Sequence, residues 1–272
     1  VSRGGLLGML RGRRSMIEVK TRGELEAMRA AGIVVARTLD LLTKAVQPGV
    51  STGELDELAE QTIRDAGAVP SFKGYHDYPA SICASVNEQV VHGIPAKSQV
   101  LAEGDLISID CGAILEGWHG DAAVTVAAGQ IRPEDQLLSD ATRTSLYAGV
   151  EALVVGARLS DVSHAIEQSI LRSAEEDGIK YGIIRDYGGH GIGTEMHMEP
   201  YLSNYGKPGK GPRLVAGMAI AVEPMLTLAD HDTDELEDGW TVVTVDGSRA
   251  AHWEHSIAIT DDGPWILTAP ED

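Results

Sequence analysis

The chain repeats itself, and that repeat restricts its fold more than any single motif does. Gly49–Ile63 (GVSTGELDELAEQTI) aligns without a gap on Gly156–Ile170 (GARLSDVSHAIEQSI), and the Glu-Gln-Thr/Ser-Ile endings are the most specific part. Both segments read as helices, with Thr52 and Ser160 as predicted N-caps. A longer helix precedes each. The first opens on a capping box, Thr21 with Glu24, and carries Leu25, Met28, Val35, Leu39, Leu42 and Val46 at helical spacing. The second is predicted from Pro133 to about Val155.

A second correspondence extends the first. Val90-Val91-His92-Gly93-Ile94-Pro95 matches Gly188-Gly189-His190-Gly191-Ile192-Gly193, and downstream of each lies a predicted strand ending in an acid, Asp110 or Glu223. Each half thus offers two helices, a histidine loop and an acid-tipped strand. The simplest assembly is a pseudo-twofold α+β domain whose acid-bearing strands meet at the axis.

Four predicted strands carry such acids: Asp105–Cys111, Asp121–Ala127, Met218–Glu223 and Glu254–Thr260. Side chains alternate along a strand. Asp110 therefore shares a face with Ser108 and Leu106, Asp121 with Ala123 and Thr125, Glu223 with Ala221 and Ala219, and Glu254 with Ser256 and Ala258. The opposite faces hold Ile107, Ile109, Val124, Val126, Ile220, Val222, Ile257 and Ile259, fit to pack on helices. Small residues beneath the acids leave room for something bound. Carboxylates gathered in one pocket repel each other, and cations are the natural compensation. Carboxylate oxygens with an imidazole suit Mn, Fe, Co or Zn, and scarce sulfur argues against a thiolate zinc site.

Charge and composition remove other classes. A formal net charge of −19 opposes binding to DNA or other nucleic acid. No apolar run approaches the ~18 residues that span a bilayer. Two cysteines, Cys83 and Cys111, make no disulfide scaffold and fit a reducing cytoplasm. The stretch 1–16, with Arg3, Arg11, Arg13 and Arg14, reads as a flexible basic tail. Its apolar patch is too short for a secretory signal. Residues 17–272 read as one domain of two halves, about 17–130 and 131–272.

The ordered series HGIP (His92–Pro95), ISIDCG (Asp110), WHGDAAVT (Asp121), GGHGIG (His190), MHMEP (His197), AVEPM (Glu223) and HWEHS (Glu254) resembles the type I methionine aminopeptidases, over roughly Met16 to Thr268. That resemblance implies the pita-bread fold, a pseudo-twofold antiparallel sheet with two helix pairs on its outer face. It implies removal of the initiator methionine from nascent polypeptides, favouring a small second residue. Asp110, Asp121, His190, Glu223 and Glu254 would hold two divalent ions (Co, Mn, Fe or Zn). Asp121 and Glu254 would bridge them, and a water between them would become acidic enough to ionise near neutral pH. Glu223 would also shuttle the proton. His197 would stabilise the oxygen of the tetrahedral intermediate, and His92 would contact the substrate near the scissile nitrogen. Tyr75, Tyr78, Cys83 and Trp240, with Phe72 adjacent, would form the methionine slot, where thioether–aromatic contacts favour the substrate. Met196 departs from the phenylalanine many relatives carry there, which bears on pocket shape.

A monomer working in the cytoplasm on nascent chains, near the ribosomal exit tunnel, is the setting the resemblance implies. His76, His119, His164, His231, His252 and His255 receive no role, and Asp230–Asp238 reads as a solvated loop. Two alternatives stay open: a proline-specific aminopeptidase or dipeptidase of the same fold, and a non-catalytic binding protein built on it.

Overall fold

The computed structural model describes residues 17–271, so the basic stretch 1–16 lies outside the described residues. The first half runs α1 (Arg22–Ala45), α2 (Thr52–Asp65), β1 (Val69–Pro70), β2 (Ile82–Val86), β3 (Gln89–Val91), β4 (Asp105–Leu115) and β5 (Trp118–Ala128). The second runs α3 (Pro133–Ala152), α4 (Leu159–Asp177), β6 (Gly182–Ile183), β7 (Gly189–Gly191), β8 (Met198–Leu202), β9 (Ala219–Val222) and β10 (Met225–Thr227). It continues through β11 (Thr233–Glu235), β12 (Val242–Thr244), β13 (Ala250–His252), β14 (His255–Thr260) and β15 (Gly263–Ile266). None of the described helices is long and apolar enough to cross a membrane.

Helix starts follow the acid three residues on. The Thr21–Glu24 capping box opens α1 as expected. The next cap is Ser51 rather than Thr52, because Glu54 stands three residues beyond Ser51 and returns a carboxylate to its backbone N–H at 2.8 Å. Ser160 likewise yields to Arg158, whose N–H reaches Asp161 at 2.7 Å. Helix α3 begins at Pro133 and stops at Ala152, leaving Val154 and Val155 outside it and exposed.

Each half buries its own apolar layer between helices and sheet. Val35, Leu39 and Leu42 of α1 meet Leu55 and Ile63 of α2 over Ile107 and Ile109 of β4. Leu138, Leu146 and Val150 of α3 meet Val162, Ile166 and Ile170 of α4 over Ile220, Val222, Ile257 and Ile259. Alternation had assigned these isoleucines and valines to the helix-facing side, and they occupy it. Leu106 departs from the pattern: although it shares the parity of Asp110, it is buried in the second half's core.

All the ladders are antiparallel. In the first half β4 pairs β5 from Asp105↔Ala128 to Leu115↔Trp118, with β1 and β2 on its other edge. The second half's main sheet runs β15–β14–β9–β7–β8, and smaller sheets β13–β10–β6 and β11–β12–β3 complete the layer. Strand β14 meets β5 along a seam: Ala123 and Glu254 exchange backbone hydrogen bonds at 3.3 and 3.0 Å. Beside them Ser256 Oγ donates to the Asp121 carbonyl at 2.8 Å and accepts its N–H at 3.1 Å. This is the pseudo-twofold antiparallel architecture with helix pairs outside, and the acid-bearing strands meet at its axis.

Candidate active site

Two of the four acids do not sit at strand tips. Asp110 and Asp121 occupy the middle of β4 and β5, because that hairpin is longer than the apolar alternation suggests. Asp110 pairs with Ala123, and Asp121 with Gly112. Glu223 follows the last residue of β9, and Glu254 precedes the first of β14. His190 is in a strand rather than a loop, paired with Tyr201 and Ala221. Its flanking glycines are required by close approach: a Cβ on Gly189 or Gly191 would drive into the carbonyl oxygens of Ala221 or Glu199.

These five side chains, drawn from both halves, converge at the seam. Asp121, His190 and Glu254 offer ligand atoms within 4.8 Å of one another, as do Glu223, His252 and Glu254. Glu254 is common to both groups. His190 Nε2 lies 3.7 Å from Glu223 Oε1. Its Nδ1 lies 3.0 Å from the Gly191 carbonyl, which can only accept, so Nδ1 carries the proton and Nε2 keeps a free lone pair. Asp121, His190 and Glu254 are 4 %, 6 % and 2 % exposed.

The electrostatics of this cluster are unfavourable without a counter-charge. Burial first, and then the neighbouring Asp110 and Glu223, push Asp121 well above the usual carboxylate range. Glu254 is raised in the same way, by burial and then by Asp121 and Asp110. Burial pushes Asp110 up to about 7, with Glu223 adding to the rise and His252 opposing it. Burial likewise pushes Glu223 up to about 7 against the pull of His190. Oδ1 of Asp110, Oδ1 of Asp121, Oε1 of Glu254 and Nε2 of His252 are buried without hydrogen-bond partners among the described residues. Orphaned buried acceptors cost free energy unless something binds them. Oxygen and imidazole donors at these separations fit divalent cations of the Mn–Zn series.

The remaining predicted residues gather beside this cluster. Phe72, Tyr78, Cys83 and Met196 are buried together, with Tyr75 and Trp240 packed against them. The Tyr78 hydroxyl donates to the carbonyls of Ile82 and Gly93, both at 3.1 Å, and its ring meets Trp240 edge-on at 5.0 Å. Burial raises the Cys83 thiol, so it stays protonated. A cleft of about 420 Å³ adjoins this cluster, lined in part by Ser71, Tyr75, His119, Met196 and His197. The His197 ring centroid lies 4.4 Å from that of His190 with the planes tilted by 59°, and burial together with the His190 and His92 imidazoles pushes its pKa down to about 2. His92 follows β3 at φ +60°, its ring against Tyr187 and Trp240, and burial pushes it down to about 4.

Sequence reading missed His252. It was grouped with filler histidines, yet it is 1 % exposed, with Nε2 at 3.5 Å from Glu223 and 3.8 Å from Glu254. A signal existed: His252 lies two residues before Glu254, hence on the same side of an extended chain. The intervening Trp253 turns away and donates to Ser139 Oγ at 3.0 Å. His76 and His119 line the cleft wall, whereas His164 and His255 are engaged elsewhere, with Gly206 and Thr268. His231 pairs with Asp230.

Comparison with known proteins agrees with the fold. Residues 26–261 match the model of metallopeptidase family M24. Methionine aminopeptidase 1 of Mycobacterium tuberculosis is 58% identical over 262 residues, which cover 96% of this chain and 98% of that protein. The crystal structure of the Thermotoga maritima methionine aminopeptidase superposes with a TM-score of 0.89 at 44% identity, covering 93% of this chain and all of that one. An Xaa-Pro dipeptidase from Bacillus anthracis shares the fold alone, with a TM-score of 0.73 at 22% identity, and this chain covers 63% of its length. The chain belongs to metallopeptidase family M24 and, within it, to the type I methionine aminopeptidases.

Proposed function

We infer that this chain is a metal-dependent aminopeptidase that removes the initiator methionine from peptides and nascent proteins, favouring a small second residue. The observation that carries this reading is the gathering of four carboxyls, Asp121 and Glu254 fully buried among them, with His190 at the seam, next to an apolar cluster rich in aromatic and sulfur-bearing side chains. Asp110, Asp121, His190, Glu223 and Glu254 would hold two divalent ions, with Co, Mn, Fe and Zn all suited to such donors. When bound, the ions supply Lewis acidity and lower the pKa of a water from about 15.7 toward about 7.

The chain's own groups account for the rest. The Glu223 side chain keeps 14 % exposure, so it can accept the attacking water's proton and pass it to the leaving amine. His197 is neutral and can donate a hydrogen bond to the oxygen that gains charge during attack. His92 faces the same space beside Trp240 and would contact the substrate near the scissile nitrogen. Phe72, Tyr75, Tyr78, Cys83, Met196 and Trp240 would enclose the methionine side chain, excluding water and favouring the thioether.

We read residues 17–272 as one catalytic domain of two halves, working as a monomer in the cytoplasm on polypeptides emerging near the ribosomal exit tunnel. The proline-specific alternative has weaker support, since the dipeptidase comparison is confined to fold.

The test is release of free methionine from a Met-Ala-Ser peptide by the Mn- or Co-loaded protein, beside the same peptide with an acetylated amine. Methionine should appear from the free-amine peptide alone. Cleavage of the blocked peptide, or of an internal bond, would overturn the assignment. Asp121→Asn should lower kcat by about a thousandfold or more while circular dichroism stays unchanged.

A further inference from the structure

We propose that His252 supplies a second imidazole to the metal centre, coordinating through Nε2 beside Glu223 and Glu254. The proposal rests on the metal-centre reading above and adds a residue to it.

The geometry of His252 parallels that of His190. His190 Nε2 lies 3.7 Å from Glu223 Oε1, and His252 Nε2 lies 3.5 Å from Glu223 Oε2, so two imidazoles bracket one carboxylate. His252 Nε2 is also 3.8 Å from Glu254 Oε2. These separations exceed the roughly 2.7–3.2 Å of an N–H···O hydrogen bond. Ligand atoms held about 2.1 Å from one tetrahedral cation stand about 3.4 Å apart, close to what is observed. The Nε2 atom is buried without a hydrogen-bond partner among the described residues, as is Oε1 of Glu254. The two ligand groups, Asp121–His190–Glu254 and Glu223–His252–Glu254, each contain one imidazole and share one acid.

His252 is also held firmly enough to serve. Its backbone N–H donates to Thr125 Oγ1 at 3.0 Å and to Ser108 Oγ at 3.2 Å, and its carbonyl accepts from Thr125 Oγ1 at 2.7 Å. Ser108 and Thr125 belong to the first half and join each other at 2.9 Å. The imidazole is therefore carried across the seam on a backbone clamped by the opposite sheet.

An added nitrogen donor shifts preference toward cations that favour imidazole, such as Co and Zn, over Mn. His252→Gln should accordingly weaken Co(II) binding by more than about tenfold and Mn(II) binding by less. Affinity alone does not separate a ligand from a histidine that merely steadies Glu223, since such outer groups also influence metal affinity. Counting imidazoles does.

The experiment is X-ray absorption at the cobalt edge on the full chain loaded with Co(II), where imidazole rings give distinct multiple scattering. Two imidazoles per chain are expected in the wild type, and one in either His252→Gln or His190→Gln. A single imidazole in the wild type, or an unchanged count in His252→Gln, would overturn the proposal. In that event, loss of the ring in His190→Gln would leave the metal-centre reading standing. Failure of the wild type to bind Co(II) would remove both. If His252→Gln does not fold, the wild-type count decides alone.

Discussion

The phenolic oxygen of Tyr75 lies 2.8 Å from Nδ1 of His197, a pair 122 residues apart in sequence. Burial raises the phenol's pKa, so it keeps its proton, while His197 stays neutral. With the phenol as donor to Nδ1, the ring proton sits on Nε2, the tautomer that the proposed oxygen contact requires. In the proposed mechanism Tyr75 would position that hydrogen-bond donor. Tyr75→Phe should lower kcat about tenfold with little change in KM, and His197→Ala should lower it about 10²–10³-fold. Steady-state kinetics on one methionyl peptide would check both, and wild-type kcat in Tyr75→Phe would contradict the coupling.

Metal removal should soften the protein as well as silence it. The raised carboxyls of the cluster repel one another, and bound cations relieve that repulsion. Cation at about a thousandfold over its Kd contributes about 4 kcal/mol, so Tm should rise by about 10 °C when Mn(II) or Co(II) is restored to chelator-treated protein. Scanning calorimetry would measure the shift, and Asp121→Asn should lose most of it.

His92 gives the fold a marked acid sensitivity. Burial lowers its pKa from 6.5 to about 4, so the unfolded chain takes up this proton before the folded one does. Stability from this residue is present above about pH 6.5, is lost as pH falls toward about 4, and then levels. His92→Gln should remove up to about 3 kcal/mol of that loss. Urea unfolding of wild type and variant across the window, both free of metal, would show whether the curves converge at low pH.

The apolar cluster separates stability from selection. Tyr78→Phe removes the donor shared by the Ile82 and Gly93 carbonyls and should cost about 1 kcal/mol, with KM for methionyl peptides nearly unchanged. Met196→Ala opens space on the cleft side and should raise KM about tenfold, with a smaller effect on kcat. Unfolding midpoints and kinetics on the same preparations would distinguish the two patterns.

Much of this was legible in one chain. The helix-facing isoleucines and valines followed from alternation, and Asp121, His190, Glu223 and Glu254 fall into two groups of potential ligand atoms. What escaped depended on partners distant in sequence. The N-cap at Ser51 was decided by the reach of Glu54, and Leu106 crossed into the other half's core because the sheets meet at the seam. His252 looked like filler because its one local signal, Glu254 two residues on, does not reveal that Glu223 from another segment comes within 3.5 Å of it.

The reciprocal backbone bonds between Ala123 and Glu254 have a consequence for how the molecule assembles. Asp110 and Asp121 come from one side of that junction, and His190, Glu223 and Glu254 from the other, so neither fragment alone owns the whole proposed ligand set. Cation capture should therefore coincide with docking of the halves during folding, and a tightly held ion becomes a reporter that the junction has closed.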